Sequence, residues 1–147
     1  MSLKTPDSNQ IKQNLEKQKH IDNYNFALKL GNYKNAAKEA LIICKKDKLY
    51  IEKAENCAEN LYHTQKRYVD AAEIYKKIAE IYLNLGDNEK YEENMQYAAT
   101  CYIGAAEDIK DSTESKIKFY NSALNIYQKL EDKELIDMIN TTIEKIK

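Results

Sequence analysis

Tryptophan is absent from this chain of 147 residues, proline occurs only at Pro6, and glycine only at Gly31, Gly86 and Gly104. So few helix breakers, beside abundant Ala, Leu, Ile, Lys and Glu, exclude sheet-rich and turn-rich folds and point to an all-α protein. No apolar run approaches the roughly 18 residues of a membrane span, and the N-terminus carries no hydrophobic signal block. The expectation is a soluble, cytoplasmic protein without an integral membrane segment. Arginine is nearly missing too: Arg67 stands alone among 23 basic residues, and the formal net charge is −1. Nucleic-acid binding wants a basic face and bidentate arginines, so DNA and RNA are not expected partners. The three cysteines, Cys44, Cys57 and Cys101, are odd in number and sit inside apolar helical patterns. They read as small buried thiols in a reducing compartment, neither disulfides nor metal ligands.

What is present is a repeat. Ala72–Asp87 (AEIYKKIAEIYLNLGD) is echoed by Ile117–Asp132 (IKFYNSALNIYQKLED), an offset of 45 residues. Tyr75 aligns with Tyr120, Ile81 with Ile126, Tyr82 with Tyr127, Leu85 with Leu130 and Asp87 with Asp132. A helical unit repeated at this period cannot bury its apolar face alone and stacks on its neighbours as a solenoid.

Apolar spacing of three and four places seven helices. The first, from about Ser8 to Leu30, uses Ile11, Leu15, Ile21, Tyr24 and Leu28, and the polar run Lys17–His20 leaves room for a break. The next four run from about Tyr33 to Lys46, Tyr50 to Gln65, Tyr68 to Leu85 and Glu89 to Ile109. The sixth starts at an Asp111 or Ser112 cap and ends near Leu130. The last, from about Lys133, sets Leu135, Ile136, Ile139, Ile143 and Ile146 against a polar face, as the end of a solenoid requires. Residues 1–147 read as one domain with 1–7 a flexible tail, and Pro6-Asp7-Ser8 as a helix start. The fold expected is all-α: three antiparallel helix pairs and a C-terminal capping helix, stacked as a right-handed α-solenoid.

Gly31-Asn32-Tyr33-Lys34-Asn35-Ala36 resembles the centre of a tetratricopeptide repeat, and Lys66-Arg67-Tyr68-Val69-Asp70-Ala71 repeats it 35 residues on without the glycine. The resemblance covers about residues 17 to 132 and lacks the family's tryptophan and Leu-Gly pair. Ala71-Ala72, Tyr75, Ala79, Tyr82 and Leu85-Gly86-Asp87 are similar to the soluble NSF-attachment proteins, helical-hairpin solenoids about twice as long. These resemblances imply a protein-binding scaffold or adaptor, with vesicle-fusion adaptor as the alternative.

In tetratricopeptide repeats the first helix of each pair lines the groove. Projected here, that pattern puts Asn25, Lys29, Lys53, Asn56, Asn60 and His63 toward a docked helix or extended peptide. A carboxylate clamp of the family type would be incomplete, because Ile21 stands where the lysine belongs. A solvated polar face is the plainer explanation of the same six residues. Tyr75, Tyr82, Tyr120 and Tyr127 read as core, whereas Tyr24, Tyr62 and Tyr97 are candidate exposed anchors.

No enzyme is expected. Glu16–His20 and Glu59–His63 have i,i+4 spacing, not the Glu-x-x-His of di-iron bundles, and two histidines supply no triad. Three isolated glycines build no phosphate loop. No cofactor or metal is expected, and a helical-bundle enzyme or metal carrier is the remote reading. Lys29–Lys53 holds seven lysines against three acids, and Asp87–Glu114 eight acids against two lysines. That polarity suits a partner of mixed charge or head-to-tail self-association.

Overall fold

The computed structural model describes residues 7–147, and these form seven α-helices with no strand among the described residues. They are α1 (Ser8–Lys29), α2 (Tyr33–Ile43), α3 (Leu49–His63), α4 (Tyr68–Asn84), α5 (Asn88–Asp108), α6 (Thr113–Lys129) and α7 (Lys133–Ile146). The tail expectation lies outside the described residues for 1–6, while Asp7 caps α1 by accepting from the Gln10 N–H at 2.7 Å.

Three of the links follow one design. After α1, the Asn32 N–H reaches back to the Ala27 carbonyl at 2.8 Å, with Gly31 at φ 68°. The Asn32 side chain then accepts from the Asn35 N–H at 3.2 Å, so one residue closes α1 and opens α2. Asp87 does the same between α4 and α5, and Asp132 between α6 and α7. The left-handed residue is Gly86 at φ 79° in the second case and Glu131 at φ 57° in the third. A side chain in that conformation is strained, where glycine is not. Glu131→Gly is therefore expected to stabilise the fold by about 0.5–1 kcal/mol. Urea denaturation at constant m-value would show it as a higher midpoint.

The helices stack in chain order, each packing on the next, and α2 also touches α4. Close approach is possible because the facing positions are small: Ala36, Ala37 and Ala40 on α2, Ala71, Ala72 and Ala79 on α4, and Ala98 and Ala106 on α5 are all buried. Gly104 on α5 meets the Tyr68 ring of α4, and a Cβ there would stand 3.0 Å from Tyr68 Cδ1. This all-helical stack of sequential neighbours is compatible with a helical repeat.

α1 departs from expectation twice. It runs unbroken through Lys17–His20: Lys17 and His20 reach partners outside the helix, and Gln18 bonds to Asp22 within it. Lys17 reaches Asp47 at 3.6 Å, and His20 Nδ1 lies 2.6 Å from Glu39 of α2. Its apolar stripe is covered only from Ile21 onward, leaving Ile11 and Leu15 exposed. At the other end α7 buries Ile139 and Ile143 and keeps Glu134, Asp137 and Glu144 in solvent. α2 ends earlier than its lysines suggest, since the N–H groups of Lys46 and Asp47 turn back to the Ile43 carbonyl.

Candidate binding cleft

α3 has two working faces. Ile51, Ala54, Cys57, Ala58 and Leu61 are buried in the stack. Glu52, Glu55, Asn56, Glu59, Tyr62 and His63, also spaced by three and four, form one wall of a cleft of about 530 Å³. Tyr75 from α4 lines it too, and Tyr97, Thr100 and Cys101 come from α5. An adjoining depression of about 410 Å³ shares Glu52 and Glu55 and adds Asp47, Tyr82 and Lys90. Both lie along α3, whose 15 residues span about 22 Å.

The cleft is acidic and rimmed by phenols. Tyr82 donates its hydroxyl to Glu55 Oε1 at 2.8 Å, and Tyr97 donates to Glu93 Oε1 at 2.9 Å. Tyr75 is 8% exposed, its ring centroid 5.3 Å from that of Tyr97. Its hydroxyl has no hydrogen-bond partner among the described residues. Burial, then Cys101, Glu59, Tyr97 and Glu55, push the Tyr75 phenol upward, so it stays protonated. Burial likewise raises the Cys101 thiol to about 12, which keeps it from thiolate chemistry at neutral pH.

Burial also pushes the Glu55 carboxyl above the usual range, opposed by the Tyr82 hydroxyl. A raised folded-state value means that ionising Glu55 opposes folding. Its contribution is best below the unfolded carboxyl range and is lost as pH rises through the folded value. Glu55→Gln keeps an acceptor for Tyr82 without the charge. It is expected to equal or exceed the parent at pH 7, by no more than about 1 kcal/mol after solvent screening. Denaturation at pH 4 and pH 7 should show that advantage shrinking in acid.

Of the six residues projected toward a groove, the structure brings Asn56 and His63 into this cleft. Asn60 turns along its own helix, donating to the Asn56 carbonyl at 2.9 Å. Lys53 sits outside the cleft, its ammonium 5.8 Å from the Tyr24 ring and 5.5 Å from the Tyr50 ring. Asn25 and Lys29 are exposed on α1 and do not line the cleft. Among the anchor candidates, Tyr97 is 43% exposed and Tyr62 half-buried, both in the cleft, whereas Tyr24 is buried edge-to-face on Tyr50. Tyr75, Tyr120 and Tyr127 are buried and Tyr82 half-buried, as core residues.

The projection missed Glu52, Glu55 and Glu59. Their spacing of three and four was the available signal, since it sets all three on one helix face.

His20 pairs with Glu39 rather than Glu16. Among the described residues, no three His, Cys, Asp or Glu side chains converge as metal ligands, and no helix is long and apolar enough to cross a membrane. No protein-family model, curated protein or solved structure matches the chain.

Proposed function

We propose that this chain is a non-catalytic protein-interaction module that docks a helix or extended peptide in the cleft between α3 and α5. The observation that carries the reading is the cleft itself: it adjoins a second depression along α3 and has exposed aromatic and polar walls. Tyrosine offers large contact area at small entropic cost, and Asn56 and Thr100 stand exposed on opposite walls to meet a main chain. In this reading the stack is a right-handed solenoid of tetratricopeptide type, acting as a scaffold or adaptor. Three free, buried cysteines support a reducing, cytoplasmic setting. The protonated Cys101 thiol supports a binding role over nucleophilic chemistry.

The likeness to attachment proteins rests on Ala71, Ala72, Tyr75, Ala79, Tyr82 and Leu85-Gly86-Asp87. The first four are buried, Tyr82 bonds to α3, and Leu85-Gly86-Asp87 makes the exposed turn that caps α5. That likeness reflects helix packing and turn chemistry and adds nothing for a fusion adaptor.

The test is selection from a random peptide library, followed by affinity measurement on the parent and on Thr100→Trp. Thr100 is exposed on α5, so the larger ring fills the cleft without entering the core. Selected peptides are expected to lose at least about tenfold in affinity, about 1.4 kcal/mol. Equal binding to both proteins, or no selection at all, would remove the cleft as the docking site.

A further inference from the structure

Six acidic side chains of this protein are half-buried: Glu39, Asp47, Glu55, Asp70, Glu93 and Asp132. Four have a basic side chain within reach. Glu39 has His20, Asp47 has Lys17, Asp70 has Lys34 and Arg67, and Glu93 has Lys90. Asp132 caps α7 through the Leu135 N–H. Glu55 is the exception: its one hydrogen bond comes from the neutral phenol of Tyr82, and the Lys90 ammonium, which pairs with Glu93, acts on it without forming an ion pair. Beside it on the same helix face stand Glu52 and Glu59, neither of which forms an ion pair among the described residues. Three carboxylates within two helical turns repel one another, and partial burial denies them part of their hydration.

A second observation points into the same cleft. Tyr75 is more than nine-tenths buried, it lines the cleft, and its hydroxyl is without a partner among the described residues. A phenol oxygen accepts from an ammonium or guanidinium N–H. The tilted Tyr75–Tyr97 pair adds aromatic surface of the kind that attracts cations. The protein already uses this chemistry twice, where Lys53 lies over the Tyr24 and Tyr50 rings and Lys76 over the Tyr102 ring.

We propose that the cleft seats one lysine or arginine side chain of a partner polypeptide, its cationic head among Glu52, Glu55 and Glu59 and its stem against Tyr75 and Tyr97. This rests on the interaction reading above and gives the partner its chemistry. A peptide rather than a free polyamine is the occupant because the depression continues along α3, and the exposed Asn56 amide is placed for a main chain.

The experiment titrates isotope-labelled protein, observed by amide NMR, with capped heptapeptides of glycine and alanine. Their central residue is arginine, lysine, norleucine or glutamate, and spermidine is run in parallel. Arginine and lysine peptides are expected to bind at least about tenfold tighter than norleucine, shifting the amides around Glu55, Glu59 and Thr100. The Glu55→Gln/Glu59→Gln double variant should lose at least about tenfold, and Tyr75→Phe about threefold. Thr100→Arg, a surface change that places a tethered cation at the cleft, should block binding with the fold intact.

Norleucine or glutamate peptides binding the cleft as well as lysine would overturn the cation and leave the interaction reading standing. Shifts confined to α6 and α7, or unchanged affinity in the double variant, would overturn the site. Spermidine matching the peptides would overturn the polypeptide occupant. No binding by any peptide up to about 10 mM would remove both readings.

Discussion

Asn94→Asp is expected to cost about 3–5 kcal/mol of stability at pH 7 and little at pH 3. Asn94 is 0% exposed on α5, the one fully buried polar side chain among the described residues. Its Nδ2 donates to the Lys90 carbonyl at 2.9 Å, and its Oδ1 has no partner. An aspartate there would be isosteric, but once ionised it has no proton to give Lys90 and no donor facing its second oxygen. Protonated, the carboxyl restores the donation, so the folded state raises its pKa above the unfolded value near 3.9. Stability is then fully present below that unfolded value and lost as pH rises through the folded one.

Asn94→Ala sets the scale, because it removes the orphaned oxygen together with the hydrogen bond. It should stay within about 1 kcal/mol of the parent. Urea melts of the three proteins at both pH values decide the matter. If Asn94→Asp matched Asn94→Ala at pH 7, a donor unseen in the present contacts must reach Oδ1.

The helix boundaries were legible because they are made by local chemistry. Asn32, Asp87 and Asp132 announce their turns in the sequence, and each caps the helix that follows it. Cross-helix partners are not local, and there the reading failed. Nothing in periodicity tells that Lys17 and His20 answer Asp47 and Glu39, so their polarity looked like a break in α1. Tyr24 looked like an exposed anchor for the same reason, since its edge-to-face partner Tyr50 belongs to another helix.

The cleft was half legible. A family projection selects residues by position in a repeat, and it chose asparagines, lysines and His63 from two helices. The physical wall is one face of α3, where three glutamates, an asparagine, a tyrosine and a histidine share one side. Rotation about the helix axis separates Lys53 from Glu52 and places Lys53 over tyrosine rings instead. A step of one residue on a helix is a turn of about 100°. Small errors in register therefore change the sign of the charge assigned to a surface.

Ile78→Ala is expected to cost about 3–4 kcal/mol and to loosen the whole molecule, whereas Ile139→Ala loosens only its C-terminal end. Both side chains are buried, Ile78 at 0% and Ile139 at 1% exposure. Truncation to alanine forfeits similar transfer free energy at each and leaves a similar cavity. The difference lies in connectivity. α4 packs on α2, α3 and α5, so a cavity at Ile78 weakens interfaces that hold the middle of the stack together. α7 packs on α6 at the end of the chain, and its release leaves α1–α5 with their own neighbours. Native-state hydrogen exchange reads the distinction directly. In Ile78→Ala, protection should fall together in α2 through α5. In Ile139→Ala it should fall in α7 and the facing side of α6, with α3 and α4 unchanged. Equal loss across all seven helices in both variants would mean the chain unfolds as one cooperative unit, and the stacked-pair energetics would not apply. Since the cleft is built from α3, α4 and α5, Ile139→Ala should also bind selected peptides normally, while Ile78→Ala should not.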